Sequence, residues 1–257
     1  VLELIAERLA NQARESNIRI LYACESGSRA WGFASPDSDF DVRFIYSHDA
    51  DWYLRLRDRD DHIESMDDVT TIDLAGWELR KALRLFASCN PVMYEWLQSP
   101  VVYSQEDEFV NRLRARIPDF FIPRRAIFHY LGTARQIAKN YLDGDRIQIK
   151  KAFYILRPLA AASWIRDLGT MPPTDFHELI ANTTSPEVIA LLPHIAELLQ
   201  RKAAAIEKHP ITLPSEIAAY FDESFATLEA AAESMPRNSP ADVASLDSFF
   251  REFLRVN

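Results

Sequence analysis

"ESGSRAWGFASPDSDFDVRF", residues 25–44, decides the fold. It places a Gly-Ser pair, a Ser-Pro-Asp turn and two acids one residue apart between two strand-like runs. Upstream, "IRILYA" (residues 18–23) has the pattern of a half-buried strand. Downstream, "FDVRFIY" (residues 40–46) puts Val42, Phe44 and Tyr46 on one side and Asp41, Arg43 and Ile45 on the other. That is the period of two expected of a strand, in residues that favour strands. The turn Ser35-Pro36-Asp37 returns the second strand beside the first.

Each part of the run suggests a chemistry. Asp39 and Asp41 stand at i and i+2, so on a strand both carboxylates project from one face and can hold hard divalent cations. Gly27 and Ser28 follow the first strand, where a missing side chain admits a phosphate to backbone N–H groups and a hydroxyl can donate to it. Residues 28–34 are expected to form a short helix or turn that presents those donors. A third acid, Asp73, lies in "TTIDL" before a helix expected to start near Gly76, where a neighbouring strand brings it beside the pair. Taken singly, a D-x-D also suits a solvated strand edge, Gly-Ser a turn, and Asp73 a helix N-cap. Their order along the chain joins them into one site.

Working outward, Leu2, Ile5, Leu9 and Ala13 recur at helical spacing. "IESMDDVTTIDL" (63–74) predicts one or two strands around a turn at Asp67-Asp68. "GWELRKALRLFAS" (76–88) predicts an amphipathic helix with Trp77, Leu79, Ala82, Leu83 and Phe86 buried. From about residue 91 no strand is expected, and helical patterns run between Pro-marked breaks to the final "LDSFFREFLRV". The expected fold is α+β: a small mixed sheet with helices over residues 1–109, then an all-helical domain over residues 110–257.

Composition narrows the class. Apolar residues make up 48% of the 257 and glycines number only 6, which suits an ordered, helix-rich protein. No run approaches the roughly 18 apolar residues of a membrane span. The opening "VLELIAERLANQARESN" lacks the layout of a signal peptide. Two cysteines, Cys24 and Cys89, without C-x-x-C spacing point away from a disulfide framework or structural zinc. A soluble, cytoplasmic protein is expected. The net charge of -9 conceals a basic middle, since residues 110–170 carry 12 Lys and Arg against 4 Asp and Glu. Such a segment suits a local anion site. A P-loop enzyme is excluded by the absence of G-x-x-x-x-G-K-[ST], and none of the 6 His makes H-E-x-x-H. A metal-using glycosyltransferase also carries D-x-D, but only one helix and one strand precede Asp39.

"SGSRAWGFASPDSDFDVRF" resembles the signature of nucleotidyltransferases of the DNA polymerase beta superfamily. In fuller wording it resembles the RNA repair pathway DNA polymerase beta family. "IDLAGWELRKAL", "NPVMYEWLQSPVVY" and "KKAFYILRPLAAASWI" resemble further blocks of that family, over roughly residues 18–170. The resemblance implies a nucleotidyltransferase catalytic domain over 1–109 and a helical domain contributing to nucleotide and acceptor binding over 110–257. It implies that Gly27 and Ser28 hold the triphosphate and that Asp39 and Asp41 ligate two Mg²⁺ ions, for which Mn²⁺ can substitute. Asp73 would bind the catalytic metal and help deprotonate the acceptor hydroxyl. The implied reaction is template-independent attack on the α-phosphate of an NTP, releasing pyrophosphate, with an RNA end as acceptor. AMP transfer to a protein Ser, Thr or Tyr uses the same residues, and a silent nucleotide-binding or antitoxin-like module is the reading from another class.

Lys150, Lys151, Tyr154 and Arg157 recur at helical spacing in "IQIKKAFYILRPL", and their face is expected to grip the triphosphate or the acceptor's phosphates. The alternative is that Tyr154 is core and the cations are solvated. Arg29 is placed to touch a phosphate. Trp31 suits either base stacking or packing. Trp77 and Trp96 are expected in the core.

Overall fold

The computed structural model describes residues 1–35, 38–67, 70–204, 210–237 and 242–254. The expected turns at Ser35-Pro36-Asp37 and Asp67-Asp68 run through residues outside that set. The chain forms two compact units, Val1–Phe120 with Pro240–Asn257, and Phe121–Ser239.

In chain order the first unit contains α1 (Leu2–Glu15), β1 (Arg19–Glu25), α2 (Gly27–Ala30), β2 (Phe40–Ser47), α3 (Ala50–Tyr53) and β3 (His62–Asp67). It continues with β4 (Ile72–Glu78), α4 (Leu79–Ala87), α5 (Pro91–Leu97), β5 (Val102–Gln105), α6 (Asp107–Arg114) and α7 (Ile117–Phe120). The second unit holds α8 (Pro123–Tyr141), β6 (Arg146–Gln148), α9 (Ile149–Leu168), α10 (Phe176–Ala181) and α11 (Pro186–Ala190). There follow α12 (Leu192–Ala204), β7 (Pro210–Thr212) and α13 (Ser215–Ser234), and α14 (Ala244–Phe253) belongs to the first unit again. This is the expected α+β architecture.

The sheet runs β3-β4-β2-β1-β5, with β2 and β4 parallel and the other pairs antiparallel. Alternation on β2 explains its two faces. Val42, Phe44 and Tyr46 pack with Ala23, Ile72 and Leu74 against Ile5 and Leu9 of α1. Full burial of each large apolar side chain contributes about 1.5–3 kcal/mol. The opposite face carries Asp41 and Arg43 at the start of β2, then Ile45. Trp77, the partner of Ile45, stacks on buried Trp96 of α5 with centroids 3.8 Å apart.

Three boundaries differ from expectation. Gly76 and Trp77 belong to β4 rather than the helix, because Phe40–Tyr46 pairs residue by residue with Ile72–Glu78. A Cβ on Gly76 would come within 2.3 Å of the Phe44 ring, so this register needs glycine there. Glu78 then caps α4, accepting from the N–H groups of Arg80 and Lys81. Strands also occur after residue 91. Four-residue β5 pairs with β1, and β6 with β7, in segments too short to show a period. The boundary expected after residue 109 cuts through α6. Phe109 of α6 is buried against Phe249 and Phe253 of α14 at 5.5 and 5.1 Å, which ties both helices to the first unit. The Tyr94 hydroxyl, donating to the carbonyl of Phe120 at 3.2 Å, does the same for α7.

In the second unit α8, α9 and α13 pack together, and α9 ends at Gly169 in the left-handed region, φ 67°. Among the described residues no helix is long and apolar enough to cross a membrane. Both Cys24 and Cys89 are free thiols and buried.

Candidate active site

The parallel register between β2 and β4 makes Asp41 and Asp73 Cα partners. Residues paired in this way project side chains from the same face, so both carboxylates stand together at the N-terminal ends of these strands. Arg43, two residues after Asp41, shares that face. Its Nη2 donates to Asp41 Oδ1 at 2.9 Å and to Asp73 Oδ2 at 2.8 Å, while Nη1 donates to the carbonyls of Asp73 and Val42. The Arg43 side chain is 18% exposed, against 27% and 33% for the two acids. The pair therefore already converges on a cationic centre.

Gly27 completes this corner. It opens α2 at φ +58°, and a Cβ there would lie 2.1 Å from Asp41 Oδ2. Only a residue without a side chain lets the α2 backbone approach the carboxylate this closely. The N–H of Ser26 donates to the carbonyl of Asp41 at 2.8 Å, fixing β1's end to β2's start. Ser28 is buried at 3% exposure in the same short helix.

Asp39 lies just outside the ladder that pairs Asp41 with Asp73. It is exposed and precedes β2, which begins at Phe40, so strand geometry governs Asp41 and not Asp39. Arg29 holds this segment, with Nη2 donating to the carbonyl of Ser38 at 2.7 Å and Nε to that of Asp39 at 3.1 Å. Its guanidinium lies 3.8 Å over the Phe40 ring. Trp31 is half-buried and tilted against Phe33 at 5.7 Å, a packing contact.

Sequence reasoning assigned no role to Arg43 or Glu25. Arg43 was legible as the polar residue next after Asp41 on the same face of β2. Glu25 opens the quoted stretch, but nothing local marks a carboxylate that ends up 1% exposed. It accepts from the N–H of Asp41 at 2.7 Å and from the Tyr103 hydroxyl on β5. Burial pushes its carboxyl above the ordinary range, and those two hydrogen bonds only partly oppose the shift.

Among the described residues no group of three His, Cys, Asp or Glu side chains is arranged to hold a metal ion. The pair Asp41 and Asp73 still fits one by donor chemistry. Both offer hard oxygens, both meet a cation between them, and Mg²⁺ is commonly held by one or two carboxylates plus substrate phosphates.

The basic residues expected on α9 lie in the second unit. Arg157 is buried at 1% exposure, and its Nε and Nη2 donate to the carbonyl of Thr174 at 3.3 and 3.0 Å. It holds the segment after α9 instead of presenting a cation. The Lys151 ammonium lies 4.3 Å over the Tyr141 ring and 5.5 Å over that of Tyr154, which is half-buried, as is Lys150.

The chain is 43% identical over 203 residues to the uncharacterized protein YcgL of Bacillus subtilis strain 168, covering 77% of this chain and 75% of that one. A nucleotidyltransferase-like protein from Exiguobacterium sibiricum 255-15 overlays on 90% of this chain and 75% of its own at 11% identity. Its TM-score of 0.34 is too low to carry an argument. The profile of a family within the DNA polymerase beta superfamily of nucleotidyltransferases matches residues 1–252. With that match over nearly its whole length, the chain belongs to RlaP, the RNA repair pathway DNA polymerase beta family.

Proposed function

We propose that the chain is a metal-dependent, template-independent nucleotidyltransferase that moves NMP from an NTP to the hydroxyl of an RNA end and releases pyrophosphate. The observation that carries this reading is the alignment of Asp41 with Asp73 across β2 and β4, with Gly27 packed against the Asp41 carboxylate. Asp41 and Asp73 would hold Mg²⁺ or Mn²⁺, with Asp39 added from the adjoining segment. When bound, the metal supplies charge stabilisation for the entering and leaving oxygens.

The chain's own groups do the rest. Gly27 leaves the α2 backbone open to a triphosphate, and Ser28 adds a hydroxyl beside it. Asp73 is the carboxylate that takes the proton of the attacking hydroxyl. Arg43 fixes both acids in one geometry before substrate arrives, which is the preorganisation that in-line transfer needs. Arg29 positions the backbone of Ser38 and Asp39. Lys150 and Lys151 are the cations of the second unit assigned to substrate phosphates. The family's place in RNA repair is what supports an RNA acceptor.

The test is incubation with each α-³²P-labelled NTP and Mg²⁺ or Mn²⁺, offering RNA or protein, with Asp41→Asn/Asp73→Asn as control. Label entering RNA only with the wild type supports the proposal. Label entering protein moves the assignment to a protein-modifying transferase, and no transfer to any acceptor moves it to a silent nucleotide-binding module.

A further inference from the structure

At the opposite end of β2 and β4 from the carboxylates, the first unit has a polar concavity of about 340 Å³. Six cations line it: Arg55, Arg57 and Arg59 from the segment after α3, and Arg80, Lys81 and Arg84 from α4. Acids line it too, but two are engaged. Asp61 accepts from Lys81 Nζ at 2.7 Å, and Glu78 caps α4 and accepts from the Tyr53 hydroxyl. Arg80 stacks over the rings of Tyr53 and Phe250 at 5.0 and 5.5 Å. Among the described residues Arg55, Arg57, Arg59 and Arg84 form no salt bridge. Like charges gathered around one concavity repel one another, and a bound anion removes that cost.

An adjoining concavity of about 520 Å³ shares Trp52, Asp58 and Arg59 with it, and the two together are treated as one groove. In it half-buried His48 and Trp52 stack at 4.2 Å with planes 10° apart, an aromatic pair in the concavity that Arg59 also lines. Asp58 and Asp60 also line the groove, so six Arg and Lys side chains stand with four carboxylates, two of which are engaged as described.

We propose that this groove binds a single-stranded nucleic acid, its phosphates on Arg55, Arg57 and Arg84 and a base on the His48–Trp52 stack. Guanidinium groups match phosphate oxygens, and aromatic faces accept any base, the combination used for strands without sequence readout. The path from Asp41 to Ser47 along β2 is about 20 Å at ~3.3 Å per residue. A nucleotide in the groove is thus too far from Asp41 to be the reacting one. The proposal rests on the RNA-end reading, and the groove is where the acceptor's distal strand lies.

The test is fluorescence anisotropy of a labelled single-stranded RNA across a KCl series, without NTP or divalent metal. Variants are Arg55→Ser/Arg57→Ser/Arg84→Ser, the single change Arg57→Glu as a milder second probe, and Asp41→Asn/Asp73→Asn. The triple variant is expected to bind RNA at least about tenfold more weakly. Its salt dependence should be shallower by about 2 in log–log slope, at ~0.7 per phosphate contact. Arg57→Glu should weaken binding in the same direction, while the carboxylate variant, which has lost transfer, should bind RNA no more weakly than wild type.

Equal RNA affinity in wild type and both arginine variants overturns the groove assignment, whatever the transfer assay shows. So does displacement of the RNA by an acidic peptide or free NTP at lower concentration than by unlabelled RNA. RNA binding that depends on the groove, in a protein that transfers no label, leaves the groove standing and sinks the catalytic reading alone.

Discussion

Asp41 and Asp73 face each other across the β2–β4 ladder, and a single guanidinium, that of Arg43, bonds to both. Replacing Arg43 by Gln leaves two carboxylates in mutual repulsion. Without divalent metal the variant is expected to lose about 1–2 kcal/mol, the cost of breaking a buried pair discounted for partial exposure. A divalent cation restores the missing charge, so millimolar Mg²⁺ should raise the Tm of Arg43→Gln more than that of wild type. Thermal melts with and without Mg²⁺ decide it: no response in either protein means that the pair is not a metal site.

Gly27→Ala tests the close approach of α2. The new Cβ meets Asp41 Oδ2 at 2.1 Å and must adopt φ +58°. The left-handed backbone costs about 1–2 kcal/mol. The displaced carboxylate should lower transfer by ~10²-fold, since a misplacement near 1 Å costs that much in a preorganised site. A folded variant with wild-type kcat would remove Asp41 from the chemistry.

Glu25 predicts a pH dependence. Its folded value lies above the ordinary 4.5 because burial penalises the charged form. The stability contribution is therefore complete below 4.5 and is lost as pH rises through the raised value. Glu25→Gln stays neutral throughout, so the Tm of the variant minus that of wild type should increase as pH is raised from 4.5 toward neutrality. Glu78, also shifted up by burial, is common to both proteins and cancels. A difference that is flat or falling with pH would mean that hydrogen bonding from Tyr103 and Asp41 outweighs burial.

Most of the site was legible because its parts are local. Period two in "FDVRFIY" marks Asp41 and Arg43 as same-face neighbours, and a glycine before a short turn marks a close approach. What could not be read is set by pairing between distant segments. Asp73 was expected beside the acids, but that it pairs with Asp41 in particular depends on the β2–β4 register, which spans 32 residues. Glu25 is buried by Tyr103 from β5, a strand of four residues with no detectable period. Helical spacing grouped Arg157 with Lys150 and Lys151, but α9 is apolar on several sides and takes Arg157 into its interior. The groove cations come from an irregular segment and from α4, which no periodicity connects.

That error separates two variants of α9. Arg157 donates to Thr174 from full burial, so Arg157→Met removes these buried hydrogen bonds. A loss of about 1–3 kcal/mol is expected, with the KM for NTP unchanged at temperatures where the variant is folded. Lys150→Glu/Lys151→Glu reverses charge on half-buried side chains. It should leave Tm within about 2–4 °C, a modest effect for a chain of this size, and raise the apparent KM for NTP or acceptor severalfold. Paired melts and initial-rate kinetics read both variants together. Unchanged KM in the folded lysine variant would withdraw α9 from substrate binding, and a raised KM in stable Arg157→Met would return Arg157 to it.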